Sequence, residues 1–173
     1  MGTKRVGMAR VKALINNNIN QLSRKFKRVI TTTATRDILE SESGSTIYMD
    51  HGSAHVLTLP PAQAGLNYKF VFKVKSNTAH RILASSGDCF FGKVVLSRTS
   101  SKDEAIQQVT YSDATGTPGD HDGMLLRGNQ TTTGSGTGDV IELECIDGTA
   151  WRVTANLTTT AAPGTVAVIS AAP

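Results

Sequence analysis

Alternation of apolar and polar residues dominates the chain after about residue 45 and predicts β-strands. Residues 68–75 give the clearest case, because their apolar side chains fall on one face and their lysines on the other, as expected of a half-buried strand. The apolar face comprises Tyr68, Phe70, Phe72 and Val74, and the polar face comprises Lys69, Lys73 and Lys75. Similar runs occur at 46–49, 54–59, 80–84, 93–98, 106–111, 124–127, 139–145, 150–155 and 166–170.

Turn-forming residues separate nearly all of these runs. Asp50-His51-Gly52, Pro60-Pro61, Ser86-Gly87-Asp88 and Asp147-Gly148 are examples. Short strands at intervals of about 8–12 residues, with no helical pattern between them, are typical of an all-β domain. We therefore expect a mainly β fold, an antiparallel β-sandwich or a barrel-like domain, with no internal repeat.

A different period governs the N-terminal segment and predicts a helix over residues 8–28. Apolar residues recur there every three or four positions, which lines one face of a helix. They are Met8, Val11, Ile15, Ile19, Leu22, Phe26 and Val29. The β-branched run 31–35 that follows should be extended. The chain thus divides into a basic N-terminal arm, 1–42, and a β domain, 43–173, with long polar loops at 112–123 and 128–138.

Charge is distributed very unevenly between these two parts. Residues 1–36 hold nine of the 18 Lys and Arg and no Asp or Glu, whereas the remainder sets nine cations against all 14 acidic residues. Such an arm is suited to an anionic surface, which could be nucleic acid, an anionic membrane, an acidic protein or the body of a neighbouring copy. The predicted partner-binding residues are Arg10, Lys12, Ile15, Ile19, Leu22, Arg24, Lys25, Phe26, Lys27 and Arg28.

Catalytic and metal-binding motifs are poorly represented. Ser135, within the glycine-rich run 134–138, lacks the spacing and the strand-turn-helix context of a nucleophile elbow. Asp120, His121 and Asp122 resemble part of a calcium loop, but no glutamate follows at the required distance. We therefore expect these segments to be loops and turns.

Histidine and cysteine spacings point the same way. His51 and His55 are four residues apart, which in a strand is too far to share a metal readily. Cys89 and Cys145 each lie in an apolar run, so we expect two buried thiols, with a single disulfide as the alternative. The expectation is a non-enzymatic protein with no catalytic residues, no metal, no cofactor and no small-molecule substrate.

The sequence carries neither a membrane-spanning apolar run nor the apolar core of a secretory signal, so we expect synthesis in a cytoplasm and no membrane partner. The basic helix also has few large apolar anchors for a membrane surface. Nucleic acid remains an alternative partner for the arm. The body, however, has a net negative charge and no recognisable nucleic-acid-binding module.

Several landmarks of residues 43–155 resemble a β-module found in virion proteins of tailed bacteriophages. They are Ser43-Gly44-Ser45-Thr46-Ile47, Leu57-Thr58-Leu59-Pro60, Ala64-Gly65-Leu66-Asn67-Tyr68-Lys69-Phe70, Gly87-Asp88, Gly92, Gly138-Asp139-Val140-Ile141-Glu142-Leu143 and Asp147-Gly148-Thr149-Ala150-Trp151-Arg152-Val153. The opening run, Met-Gly-Thr-Lys-Arg-Val-Gly-Met-Ala-Arg-Val, is similar to the start of small virion proteins of marine phages, including cyanophages. Among these proteins the capsid decoration, or cement, proteins fit best.

This resemblance implies a structural protein of the outer capsid surface, assembled into the virion in the host cytoplasm. It also implies a homotrimer that bridges subunits of the major capsid protein and so stabilises the shell against internal DNA pressure. A tail-fibre or receptor-binding module carries similar landmarks and is the alternative location on the virion. A nucleic-acid-binding virion protein that uses the basic arm is the other alternative.

Overall fold

The protein is mainly β, with one N-terminal helix, as the sequence predicted. The computed structural model describes residues 7–25, 28–74, 80–85, 88–98, 104–109, 123–128, 136–160 and 169–171. Within them the elements are α1 (Met8–Lys25), β1 (Val29–Thr32), β2 (Arg36–Asp37), a short 3₁₀ helix (Glu40–Glu42), β3 (Thr46–Met49), β4 (His55–Thr58), β5 (Asn67–Phe72), β6 (His80–Leu83), β7 (Cys89–Arg98), β8 (Glu104–Val109), β9 (Gly123–Gly128), β10 (Val140–Cys145), β11 (Ala150–Thr159) and β12 (Ile169–Ala171).

The strands form two sheets, and both sheets are mixed. One has seven strands in the order β1-β3-β5-β10-β11-β7-β8, and the other has five in the order β12-β9-β6-β4-β2. The strand pairs β1–β3, β3–β5, β7–β11, β2–β4 and β4–β6 are parallel. The predicted antiparallel arrangement is therefore wrong in part.

The physical reason is that the first six strands alternate between the two sheets. β1, β3 and β5 lie side by side in the larger sheet, while β2, β4 and β6 lie side by side in the smaller one. Each passage across to the other sheet and back places the next strand parallel to the one before, because two changes of direction restore the original one. The segments between neighbouring parallel strands differ in length, because Val29 pairs with Thr46 and Thr46 pairs with Lys69. No sequence repeat therefore marks this arrangement.

Inward-facing side chains from both sheets belong to one hydrophobic cluster. Tyr68, Phe70 and Phe72 are at most 2% exposed, which confirms the predicted apolar face of this strand. Trp151 on β11 and Ile82 on β6 are fully buried in the same cluster. The burial pattern alternates along the central strands β5, β10 and β11, as expected when one face of a sheet covers a core.

The N-terminal elements begin and end differently from the prediction. The helix ends at Lys25, three residues earlier than expected, and Val29 starts β1 instead of extending the helical stripe. Both β1 and β2 precede the predicted domain boundary at residue 42, yet each pairs with a sheet, and Ile38 is 2% exposed within the core. The sheets thus recruit chain from residue 29 onward.

Strands β7 and β11 approach each other closely at Gly92. This residue has a φ of 137°, and a Cβ placed on it would collide with the backbone carbonyl of Val153. A glycine is required here because it has no Cβ and tolerates positive φ. The predicted loops at 112–123 and 128–138 lie largely outside the described residues.

Candidate partner-binding surface

Helix α1 presents an apolar stripe to solvent. Every residue from Met8 to Asn18 is exposed. Met8 is 73% exposed, Leu14 55% and Ile15 51%, and Val11 is also exposed. Most of the stability of a helix in a protein comes from packing its apolar face against a partner. An exposed stripe of this kind therefore indicates a docking surface.

The structure describes the side chains of only some of the predicted partner-binding residues. Arg10, Lys12 and Ile15 are exposed on α1, and Arg28 is exposed at the start of the body. For Ile19, Leu22, Arg24 and Lys25 the structure describes the helical backbone alone, and Phe26 and Lys27 lie outside the described residues.

The arm is attached to the edge of the larger sheet through β1. The Thr46 N–H donates to the Arg28 carbonyl at 2.8 Å, and the Asp50 N–H donates to the Thr32 carbonyl at 2.9 Å. Parallel pairing with β3 continues along all four residues of the strand. The chain from Arg28 to Thr32, which follows α1, is thus anchored to the edge of the larger sheet.

A shallow groove of about 670 Å³ lies at the β2 edge of the smaller sheet, between the end of β2, the 3₁₀ helix and the end of β4. Its floor includes the buried residues Ile38 and Leu59, and Leu39 at its border is 56% exposed. Asp37 and Glu40 are exposed carboxylates that line it. Sequence reasoning missed this feature, although an apolar pair flanked by acidic residues was its visible signal.

The turn that forms one wall of the groove is fixed by Glu42, which is only 5% exposed. Its carboxylate accepts a hydrogen bond from the Leu39 N–H at 3.0 Å and forms an ion pair with the Arg36 guanidinium at 3.1 Å. Burial acts to raise the pKa of Glu42, but these two hydrogen bonds outweigh it and the pKa lies below its ordinary value. Leu39 and Glu40 are consequently held facing outward.

A second recess, of about 320 Å³, lies on the larger sheet over β5, β10 and β11. Lys69 donates to Glu142 at 2.8 Å, and Arg152 forms an ion pair with Glu144. Because each charge in these pairs meets its opposite, the recess offers polar contacts without a net charge. It does not match a strongly basic helix.

Three histidines come together where β4 and β6 begin. The rings of His51 and His55 lie 5.5 Å apart between centroids, and those of His55 and His80 lie 4.5 Å apart. The expectation that His51 and His55 are too far apart is corrected, because residues 51–54 turn before β4 begins at His55. His80 joins them as the neighbour of His55 on a parallel strand.

The rings of His55 and His80 pack against each other inside the protein, whereas His51 is half-buried. His55 and His80 are 2% and 1% exposed. Burial lowers the pKa of His80 to about 4, assisted by repulsion from His55 and His51, and burial likewise lowers the pKa of His55. Over the described ranges, no group of three His, Cys, Asp or Glu residues is placed to hold a metal ion.

Cys89 and Cys145 are both buried, and no disulfide joins them. Asp120, His121, Asp122 and Ser135 lie outside the described residues.

Asp139 is 5% exposed and holds two segments of backbone together. Its carboxylate accepts hydrogen bonds from the Gly136 and Thr158 N–H groups, both at 2.7 Å. Burial raises the pKa of Asp139 against the effect of these bonds. Its carboxylate fastens the turn before β10 to β11.

The comparisons with known proteins give no family. No protein-family model matches the chain, and no curated protein sequence or solved structure matches it. In the part of the chain that the structure describes, no helix is both long and apolar enough to cross a membrane.

Proposed function

We propose that this chain is a structural virion protein of a tailed bacteriophage that binds the outer capsid surface and stabilises it by bridging major capsid subunits. In this proposal it is a decoration, or cement, protein, it assembles as a homotrimer, and it has no catalytic centre. The observation that carries the proposal is a cationic amphipathic helix, exposed from Met8 to Asn18, that precedes a strand-rich body.

The arm supplies two kinds of interaction with an acidic protein surface. Burial of Val11, Leu14 and Ile15 would contribute affinity at about 25 cal/mol per Å² of apolar area removed from water. Arg10 and Lys12 beside that stripe would speed and orient docking, and their effect is screened over about 8 Å at physiological salt.

The body supplies the rigid support that bridging requires. We propose that its two sheets stack as a sandwich, which is supported by the single hydrophobic cluster to which both contribute. Ordered β1 pairing transmits force from the arm to this body. Many weak contacts repeated by symmetry then raise the cost of removing or spreading shell subunits.

Occupancy on empty, DNA-free capsids tests the proposal across a salt series. Ile15→Asp places an uncompensated charge in the apolar contact and should abolish binding, whereas Lys12→Ala should only reduce it. Both residues are exposed on α1, so neither change should alter the body.

The same variants separate the alternatives. A DNA-binding arm would depend on phosphate neutralisation. Lys12→Ala would then reduce the slope of log affinity against log salt concentration by about one, and it would weaken binding more than Ile15→Asp. Binding that occurs only in the presence of DNA would overturn the capsid proposal. The copy number of the protein in purified virions distinguishes further, since hundreds of copies fit a cement protein and a handful fit a fibre module.

A further inference from the structure

The chain carries both halves of a complementary contact that are not joined within one molecule. One half is the apolar stripe of α1, formed by Met8, Val11, Leu14 and Ile15, and the other is the acidic groove bordered by the 3₁₀ helix. We infer that, in the free protein, α1 of one copy docks in this groove on a second copy. The two copies would thereby become linked through the arm.

The shapes of the two surfaces are compatible. A helix is about 10–12 Å in diameter with its side chains, so a groove of about 670 Å³ cannot take the whole helix but can receive the apolar side chains along one face. Ile38 and Leu59 provide an apolar floor, and Pro60 and Pro61 lie on the same lining. Leu39, exposed at the border, extends the apolar contact toward the helix.

The charges are also complementary. Asp37 and Glu40 are exposed carboxylates along the groove, and Glu40 is positioned by a hydrogen bond that Gln63 donates at 2.5 Å. Helix α1 contains no acidic residue, and Arg10 and Lys12 flank Val11 on it. Attraction between these groups would draw the basic helix toward Asp37 and Glu40.

Geometry favours a second copy over the helix of the same chain. Arg28, three residues after Lys25 at the end of α1, donates to the Ser41 carbonyl on the groove lining at 3.4 Å. At 1.5 Å per residue, Ile15 is then about 15 Å and Met8 about 26 Å farther along the helix. Met8, Leu14 and Ile15 are exposed in the structure, so the stripe does not occupy the groove of its own chain and is available to the groove of another molecule.

This contact goes beyond the proposed function and does not depend on a capsid. The docked stripe is the surface that the capsid would use, so the two partners would compete for α1. Self-association would then keep the arm covered until an acidic shell surface displaces the neighbouring copy.

A complementation experiment on the full-length chain tests the inference. Leu14→Asp disables the arm and leaves the groove intact, while Leu39→Asp disables the groove and leaves the arm intact. Sedimentation velocity over a concentration series should show self-association of the unchanged protein, weakened about tenfold or more in either variant. Mixing the two variants, one of them labelled with ¹⁵N, should restore a one-to-one heterodimer that native mass spectrometry resolves by mass.

Ile146→Asp is the matched control, because Ile146 is an exposed apolar residue, 52% accessible, on the turn after β10. It should associate like the unchanged protein. Unaltered circular dichroism and melting of all three variants would show that the body remains folded. A monomeric unchanged protein, undiminished association of either variant, or a mixture without heterodimers would each overturn the inference.

The outcome is separable from that of the proposed function. Leu39→Asp removes self-association but keeps the helix, so this variant should still occupy empty capsids. If the unchanged protein self-associates through the arm but never binds capsids, the proposed function fails and this inference stands. If the unchanged protein is a monomer in solution and still binds capsids, this inference fails and capsid binding stands.

Discussion

Acidification should destabilise the folded protein through the buried histidine pair well before its ordinary carboxylates titrate. Unfolded His80 binds a proton with a pKa of 6.5, whereas in the folded protein burial, followed by repulsion from His55 and His51, lowers that pKa to about 4. The unfolded chain thus takes up the proton first as the pH falls. Stability that is complete above pH 6.5 should decline between pH 6.5 and pH 4.

The size of the effect follows from these two values. Between pH 7 and pH 5, protonation of His80 in the unfolded state alone reduces the free energy of unfolding by about 2 kcal/mol. The lowered pKa of His55 adds to the loss in the same direction. For a chain of this length, 2 kcal/mol corresponds to a fall of about 4–8 °C in melting temperature.

The assay compares thermal or urea unfolding of the unchanged protein with that of His80→Leu at both pH values. Leucine fills a similar buried volume beside Phe72 but cannot take up a proton. The carboxyl groups of half-buried Asp88 and buried Asp139, whose pKa values burial raises, favour the folded state on acidification. They are common to both proteins and cancel in the difference.

Equal losses of stability in the two proteins between pH 7 and pH 5 would refute the reasoning. So would a direct titration by NMR that gives His80 an ordinary pKa in the folded protein. His51→Ala serves as the control for a general effect of removing a histidine, and it should retain most of the pH dependence, because His51 is the last of the causes that lower the pKa of His80.

Three further predictions concern the fold. Gly92→Ala should destabilise the protein by about 2–4 kcal/mol in urea unfolding, because the added Cβ meets backbone that cannot move aside. Gly52 has open space around it, so the control Gly52→Ala should change stability by less than about 0.5 kcal/mol. Asp139→Ala removes the acceptor of the buried Gly136 N–H and the half-buried Thr158 N–H and should cost about 2–4 kcal/mol by the same measurement; an unchanged midpoint would contradict this role. A chain of residues 28–173 should melt cooperatively like the full protein, whereas 37–173, which lacks β1, should melt at a lower temperature; equal melting of the two would show that β1 adds no stability.

Sequence periodicity predicted the strands well because the alternation of apolar and polar residues depends only on the geometry of the strand itself. Tyr68, Phe70 and Phe72 alternate with polar residues whatever strand lies beside them, so their shared face could be predicted. Pairing is different, because a strand carries little information about its neighbour. The antiparallel expectation failed where β2, β4 and β6 each return to the same sheet after an intervening strand in the other.

The candidate site shows the same division. The exposed positions of Arg10, Lys12 and Ile15 follow from the charge and period of the arm alone. The groove depends on how the 3₁₀ helix folds over the ends of β2 and β4, and the histidine contact depends on a parallel pairing between His55 and His80. The sequence shows the apolar pair and its acidic neighbours, but it does not show that these residues border a groove or that His55 and His80 meet.

The position of β10 and β11 in the larger sheet sets an order for folding during synthesis. These strands come late in the chain, yet they lie between β5 and β7 and join them, β11 pairing with β7 along ten residues. A nascent chain that has emerged only through β8 therefore contains two halves of a sheet with nothing to connect them. The facing edges of β5 and β7 stay open until residues 140–159 leave the ribosome, and open strand edges are sites of aggregation. Premature termination before β11 should consequently yield an insoluble chain, however complete its N-terminal strands are.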